Sequence, residues 1–187
     1  MNCNLAVQDL VGRGDEICTL VRPLIGKGRV AFHRIASRQA VLFGIFSGPR
    51  LDSPIDEWRF TTFVPLIRAA YRERWIPADE KAKRYYLEQA YLHLYQQSPY
   101  GESERQFLAL HCDPNEPDDK PHAMYKQGPH VHVVSAPQPI PHSHFALNLG
   151  NLPAVLASVQ NLHSALATAV TMLQQQVLEV YSGRHTS

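Results

Sequence analysis

The C-terminal half of the chain carries the feature that most constrains the fold, which is a long stretch without charge. No Asp, Glu, Lys or Arg occurs between Gln127 and Leu178. Within this stretch, apolar residues from Val155 to Val177 recur every three or four positions, which predicts an amphipathic helix over 152–182. The outer side of a surface helix normally carries charged side chains, whereas the polar positions here are amides, hydroxyls and histidine.

We therefore expect the C-terminal helix to be covered on more than one side. A place in the centre of the core would cover it, and so would pairing with a protein partner or with a second copy of the chain. A surface helix that simply lacks charge is the third alternative. If the helix pairs with a partner or with a second copy, residues 152–182 form the interface.

Strands are predicted in two groups, 29–47 and 105–147, from runs rich in β-branched and aromatic residues. The first group reads as a hairpin, because 29–35 and 40–47 are joined by a short link. The second group consists of three strands: 105–112, 130–135 and 142–147.

Two further helices are predicted between these groups, at 66–75 and 77–97. Pro77 is a favourable first residue of a helix, and the acidic residues Asp79 and Glu80 that follow would complement the helix dipole. Together with the C-terminal helix, these two helices would pack on one face of an antiparallel sheet. The sequence therefore predicts an α+β fold with a long C-terminal helix.

Size and charge narrow the functional classes. The 187 residues, 44% of them hydrophobic, suffice for one well-packed domain, and we expect a single domain over 1–187. A net charge of +1 gives no overall attraction to nucleic acid or to an anionic membrane. No apolar run is long enough for a transmembrane helix, and the N-terminus does not resemble a signal peptide. Three widely spaced cysteines suit free thiols in a reducing compartment, so we expect a cytoplasmic protein.

Histidine is the residue type that points to chemistry. Six of the ten histidines fall within 111–144. Four of these six form two copies of Pro-His-x-His, which contain His130 with His132 and His142 with His144. Residues two apart in a strand point to the same side, so the members of each pair share a face.

The two histidine pairs are expected to meet on the outer face of a hairpin. The residues that alternate with them are apolar and suit the core face: Val131, Val133, Phe145 and Leu147. The predicted register places His132 opposite His142 and His130 opposite His144. Opposed Cβ atoms lie about 4.5–5.5 Å apart, so these imidazoles could share a metal ion.

A metal site is the first interpretation of this cluster. The preceding strand adds His111 and Asp113 on one face, and imidazole and carboxylate are ligands of zinc and similar divalent transition metals. The candidate ligands are His111, Asp113, His130, His132, His142 and His144. Two alternatives stay open. The histidines could act as acid–base groups without a metal, or they could be structural and bond to the backbone or to the acidic loop 113–119.

Catalysis would take one of two forms. Tyr125 and Lys126 precede the first histidine pair and could place a phenol and an ammonium beside a phosphate. With a metal bound, the same face could instead activate a water. The enzymatic possibility is therefore hydrolysis of a phosphodiester or peptide-like bond.

Two non-enzymatic classes compete with hydrolysis. The first is an accessory or scaffold protein that oligomerises or docks a partner through its uncharged helix, with structural histidines. The second is a nucleic-acid binder that uses the basic and aromatic residues of 68–86, a mixture that can stack on bases and neutralise phosphates.

Overall fold

One antiparallel sheet dominates the fold. The computed structural model describes residues 3–26, 30–37, 39–47, 55–78, 81, 83–101, 103–115, 126–133, 143–147 and 151–184. Its strands are β1 (Asn4–Ala6), β2 (Ala31–Ala36), β3 (Val41–Phe46), β4 (Phe60–Thr61), β5 (Ile67–Pro77), β6 (Arg84–Gln97), β7 (Glu104–Cys112), β8 (His130–Val133) and β9 (Ser143–Ala146). The strand order is β2-β3-β5-β6-β7-β8-β9, while β1 pairs with β6 and β4 pairs with β5.

Helices cover one face of this sheet. They are α1 (Arg13–Val21), α2 (Leu152–Val155), α3 (Val159–Leu173) and α4 (Glu179–Arg184), and a π-helical turn at Gln174–Leu178 joins the last two. Side chains of α1 and α3, such as Ile17, Leu162 and Leu166, are buried against sheet residues such as Leu92 and Leu110. The predicted α+β class, with an antiparallel sheet and a long C-terminal helix, is confirmed.

The two helices predicted at 66–75 and 77–97 are wrong, because these residues form β5 and β6, the longest strands of the sheet. Buried and part-exposed residues alternate along β5, but its buried position 73 is a glutamate, which hides the alternation in the sequence. In β6 both faces carry aromatic residues, so apolar residues also occur at helical spacing. Pro77 ends a strand, where its missing N–H is tolerated, and does not begin a helix.

A buried ion pair accounts for the glutamate at position 73. Arg13, on α1, donates to both carboxylate oxygens of Glu73, at 3.0 and 2.6 Å. Tyr71 and Trp75, on either side of Glu73 along β5, donate to the same carboxylate at 2.7 and 2.9 Å. From α3, Nδ1 of His163 lies 3.1 Å from Arg13 Nη1. This ion-pair cluster ties the helix layer to the sheet.

The C-terminal helix buries one side and exposes the other. Its apolar residues pack in the core, as the spacing predicted: Val155, Val159, Leu162, Leu166, Val170 and Leu173. Ser158 caps α3 by accepting from the N–H of Asn161, so the long helix begins later than predicted. Its uncharged polar side is exposed, and the central-core alternative is therefore wrong. In the parts of the chain that the structure describes, no helix has the length and apolar character needed to cross a membrane.

Candidate metal centre

The candidate site lies on the sheet face opposite the helices. Alternation along β6, β7 and β8 turns Leu92, Leu110 and Val131 into the core, so their neighbours face the other way. In the sheet register, His111 on β7 lies directly opposite Tyr91 on one side and His130 on the other. His132 is two residues along β8 from His130 and therefore points to the same face.

Three imidazoles meet at this point. His111, His130 and His132 each offer a ring nitrogen, and these three nitrogens all lie within 4.8 Å of one another. The ring centroid of His132 is 4.1 Å from that of His111 and 4.8 Å from that of His130. His130 is completely buried. The sequence predicted this juxtaposition of His111 with the first histidine pair.

The ring of His130 is held in a defined orientation. Its Nδ1 lies 2.9 Å from the carbonyl oxygen of Gly128. Because a carbonyl can only accept, Nδ1 carries the proton and donates, which leaves the buried Nε2 with its lone pair. Histidine ligands of metals are commonly fixed by this type of bond to a backbone carbonyl.

A fourth histidine, His93, lies beside the cluster and was not among the candidate ligands predicted from the sequence. Its Nε2 lies 2.7 Å from Nε2 of His111, and its Nδ1 lies 3.1 Å from the hydroxyl of Tyr95. If His111 coordinates through Nδ1, its Nε2–H can donate to His93, whose Nδ1–H then donates to Tyr95. Had 84–97 been read as a strand, the alternation Tyr91, His93, Tyr95 would have indicated this neighbour.

The cluster disfavours protonation of its own members. Burial, the neighbouring imidazoles of His132, His93 and His130, and the charge of Arg72 lower the pKa of His111 to about 2. Burial and the charges of Arg72 and Arg59 lower the pKa of His93 to about 4. At neutral pH these two rings are therefore neutral, and the neutral imidazole is the form that binds metals.

The three imidazoles could hold a metal ion, and zinc illustrates the geometry this would need. Tetrahedral coordination with Zn–N distances of 2.0–2.1 Å sets nitrogen donors roughly 3.4 Å apart. The separations of up to 4.8 Å therefore require small inward rotations of the rings. Three nitrogens from two adjacent strands would leave the fourth position of a tetrahedron without a protein ligand.

The second histidine pair departs from the predicted register. β8 and β9 pair with His132 opposite His144 and with His130 opposite Ala146. The predicted partners, His142 for His132 and His144 for His130, are therefore wrong by two residues. A shift of two residues preserves the predicted alternation of faces along a strand. The side chain of His144 and the whole of His142 lie outside the described residues.

Two of the apolar residues expected on the core face are instead exposed. Val131 is buried as expected, but Val133 is 42% and Phe145 54% exposed. Both lie where the sheet ends, at β8 and the edge strand β9. Leu147, which follows β9, is partly buried against the core.

Two other candidate residues, Asp113 and Lys126, lie near the end of β7. The carboxylate of Asp113 accepts from the Tyr91 hydroxyl at 2.7 Å and is not among the three clustered ligands. Tyr91 in turn stacks on His111, with ring centroids 3.9 Å apart. The backbone carbonyl of Lys126 accepts from the N–H of Asp113, which holds this residue near the end of β7. Tyr125 lies outside the described residues.

Among the described residues, His111, His130 and His132 form the group of potential ligand side chains that could hold a metal ion. Comparison of the chain with protein-family models, curated proteins and solved structures finds no match.

Proposed function

We propose that this protein binds zinc or a similar divalent transition metal through His111, His130 and His132. The observation that carries the proposal is the convergence of three ring nitrogens within 4.8 Å. The carbonyl of Gly128 on Nδ1 of His130 supports it, because such a bond directs the other nitrogen towards a ligand position. The low pKa of His111, caused by burial and neighbouring positive charge, removes competition from protons at neutral pH.

A hydrolytic role extends this proposal. Zinc sites with three protein ligands are typical of catalysis, whereas structural sites are usually closed by four. Zinc held in this way supplies a Lewis acid and lowers the pKa of a water at its remaining position. The proposed substrates are phosphodiester or peptide-like bonds. Tyr125 and Lys126 remain the proposed catalytic side chains on the segment before β8.

Metal content of the untagged protein tests the proposal. The protein is stripped with a chelator, dialysed against zinc and then against metal-free buffer, and analysed by mass spectrometry for zinc per chain. We expect about one ion in the wild type and a large loss in each of H111A, H130A and H132A. His33 lies on the same sheet, where it packs against Trp58 and Phe46, so H33A is the matched control.

H33A must retain its zinc, because this substitution removes a histidine that lies outside the cluster. Wild-type protein that holds less than a few tenths of an ion per chain would overturn the metal proposal. Equal zinc content in the wild type and in all three cluster variants would do the same, since the metal would then be bound elsewhere.

Self-association through 152–182 is a second candidate, favoured by the exposed side of α3. This side is uncharged and extends into the π-helical turn that follows α3: Gln160, Asn161, Ser164, Thr168, Thr171 and, in the turn, Gln175. The hydroxyls of Ser164, Thr168 and Thr171 donate to carbonyls of their own helix. Two such surfaces would meet without charge repulsion. Light scattering tests this proposal. We expect the wild type to be a dimer and T168E to be a monomer, whereas a monomeric wild type would contradict self-association.

A further inference from the structure

Strand β9 forms one edge of the sheet. Among the strands that the structure describes, it pairs only with β8. Its residues Phe145 and Ala146 are exposed, Phe145 by 54%. The opposite edge strand, β2, carries Arg34, whereas β9 and the whole of 127–178 contain no charged residue. Natural edge strands are commonly kept from pairing by charged side chains, and β9 lacks this protection.

The backbone of β9 offers hydrogen bonds on its outer side. The N–H of Leu147 donates to the carbonyl of Pro129, and residues bonded to the neighbouring strand alternate along an antiparallel strand. Phe145 is therefore also bonded to β8, while the N–H and C=O groups of His144 and Ala146 point away from β8. These outward groups can form a ladder with a further strand.

A second copy of β9 fits this edge in one symmetric register. His144 of each copy pairs with Ala146 of the other, and each of these pairs exchanges both of its backbone hydrogen bonds. This register places Phe145 directly opposite Phe145 of the second copy, with Cβ atoms about 4.5–5.5 Å apart. Aromatic pairs are among the favourable cross-strand contacts. The exposed ring of Phe145 is thus covered by its own copy.

The uncharged flank of the helix layer lies on the same side of the molecule as β9. On one flank, α3 contacts α1 through His163 and Arg13, and α1 contacts β2 at the opposite edge of the sheet. On the other flank, the amide of Asn161 donates to a carbonyl of α2. Cδ1 of Leu152, on α2, lies close to Gly128, two residues before β8. This second flank therefore faces the β9 edge.

The area needed for a stable dimer also involves this flank. Such dimers bury about 800 Å² on each partner, which is more than the edge of the four-residue strand β9 supplies. The helix α3 and the turn after it extend roughly 30 Å at 1.5 Å per residue, and a groove of about 300 Å³ separates α3 from α2. A two-fold axis normal to the sheet keeps both helix layers on one face, so the two uncharged flanks approach each other.

We propose that β9 pairs antiparallel with β9 of a second copy of this chain, about a two-fold axis at Phe145. The inference rests on the self-association proposed above and names the strand that makes the contact, and it does not depend on a metal. Burial of charge opposes association, and this interface buries no charge from 127–178 because the segment has none. A second copy presents the same uncharged surface and is therefore a partner of matching chemistry.

Charged substitutions at Phe145 test the position of the axis. F145K and F145E each place two like charges roughly 5 Å apart in the paired register. Light scattering over a series of concentrations should show a dimer dissociation constant at least tenfold above that of the wild type for each variant. An equimolar mixture of the two variants should recover a dimer, because opposite charges then face each other. The matched control is I35K, since Ile35 is a 44% exposed apolar residue of the other edge strand, and it should dimerise like the wild type.

Removal of one N–H group tests the backbone ladder. A146P deletes the outward N–H of Ala146, which β8 does not use, and edge strands tolerate proline at such positions. We expect A146P to raise the dimer dissociation constant at least tenfold, whereas A146S keeps the N–H and should leave it unchanged. Circular dichroism checks that each variant is folded, and the mixture of F145K with F145E decides the question if A146P does not fold.

The outcomes separate this inference from the other proposals. A monomeric wild type overturns both the edge pairing and the self-association, and it excludes a second copy as the occupant of this edge. The metal proposal is decided by zinc content alone. A wild-type dimer that persists in F145K, F145E and A146P overturns the edge pairing but not the self-association. Charged variants that stay monomeric when mixed overturn the axis at Phe145.

Discussion

The two faces of the sheet bury ionisable groups in opposite ways. On the helix-covered face, Glu73 and Arg13 are almost fully buried but joined by two hydrogen bonds. On the other face, His111, His130 and His132 bring three basic groups together with no carboxylate among the clustered ligands. The buried ion pair stabilises the charged forms of its two residues, whereas the histidine cluster disfavours protonated imidazoles.

The pKa shifts follow this difference. Burial raises the pKa of the Glu73 carboxyl, but the charge of Arg13 and the hydrogen bonds from Arg13, Tyr71 and Trp75 lower it more. Its net pKa therefore lies below the ordinary value, and the pair stays ionised. In the histidine cluster, burial and the neighbouring positive charges act in the same direction and lower the pKa of His111 to about 2.

The buried ion pair of Glu73 is a structural centre, whereas the histidine cluster is a proposed binding centre. Each carboxylate oxygen of Glu73 already accepts two hydrogen bonds, one from Arg13 and one from Tyr71 or Trp75, so this cluster has little to offer a ligand. Neutral imidazoles held side by side gain most from a cation that all three can share. Substitutions on the two faces and added zinc should test this contrast, from the largest expected effect to the smallest.

Neutralising Glu73 should cause the largest loss of stability. E73Q leaves the buried Arg13 with only the part-exposed carboxylate of Glu16 as a counter-charge, which costs about 3–5 kcal/mol. The free energy of unfolding is measured by urea denaturation followed by circular dichroism. The matched control is E88Q, which breaks the part-exposed pair with Arg74 and should cost less than about 1 kcal/mol. Equal losses in the two variants would contradict a structural role for the buried pair.

Zinc should stabilise the wild type by binding to the histidine cluster. With free zinc at about 100 times the dissociation constant, the free energy of unfolding rises by about 2.7 kcal/mol. H130A should gain none of this stabilisation, whereas H33A should gain all of it. Urea unfolding with zinc and with a chelator measures the difference. A full gain in H130A would show that zinc acts at another place.

How much of this the sequence could predict depends on where the relevant partners lie in the chain. The strands 31–36 and 41–46 and the face of the C-terminal helix follow from local alternation and spacing. The residues of each histidine pair are also only two apart, so their common face was predictable. The register between β8 and β9 was not, because pairing slips of two residues preserve every face.

The strands β5 and β6 show what local reasoning cannot supply. Glu73 can occupy a core position only because it pairs with Arg13. Arg13 lies 60 residues away in the sequence, so the sequence of the strand alone does not reveal this partner. The same misassignment hid His93, which reaches His111 across a pair of strands. Long-range pairing therefore explains both the main error in the fold and the main omission in the site.

Removal of His93 should weaken zinc binding without abolishing it. His93 lies 2.7 Å from His111 and would orient that ring from the second coordination shell, a role worth about tenfold or more in affinity. H93Q should therefore still bind one zinc ion, with an affinity lower by about 1.4 kcal/mol. Competition with a chromophoric chelator measures the constant. Complete loss of zinc would make His93 a ligand, and an unchanged constant would exclude any orienting role.

The smallest expected effect is on the pH dependence of stability, and it comes from His163 on the helix-covered face. Burial and the charge of Arg13 lower the pKa of His163, while Glu16 and Glu73 oppose them. Below about pH 6.5, the unfolded chain therefore binds a proton at His163 that the folded chain does not bind. The free energy of unfolding then decreases as the pH is lowered, until the pH reaches the lower pKa of His163 in the folded chain.

H163Q should remove this contribution. Between pH 7.5 and 5.5, the metal-free variant should lose less stability than the wild type, by at most about 1 kcal/mol because solvent screens the half-buried ring. Urea unfolding at the two pH values measures the difference. An identical or steeper loss in H163Q would mean that His163 does not resist protonation in the folded chain.

The coordination of bound zinc tests the central claim most directly. X-ray absorption at the zinc edge on protein loaded with one equivalent counts the imidazole ligands and measures their distances. We predict three imidazole nitrogens at about 2.0–2.1 Å and one further light-atom ligand. A spectrum with one imidazole or none, or with sulfur ligands, would contradict a metal centre formed by His111, His130 and His132.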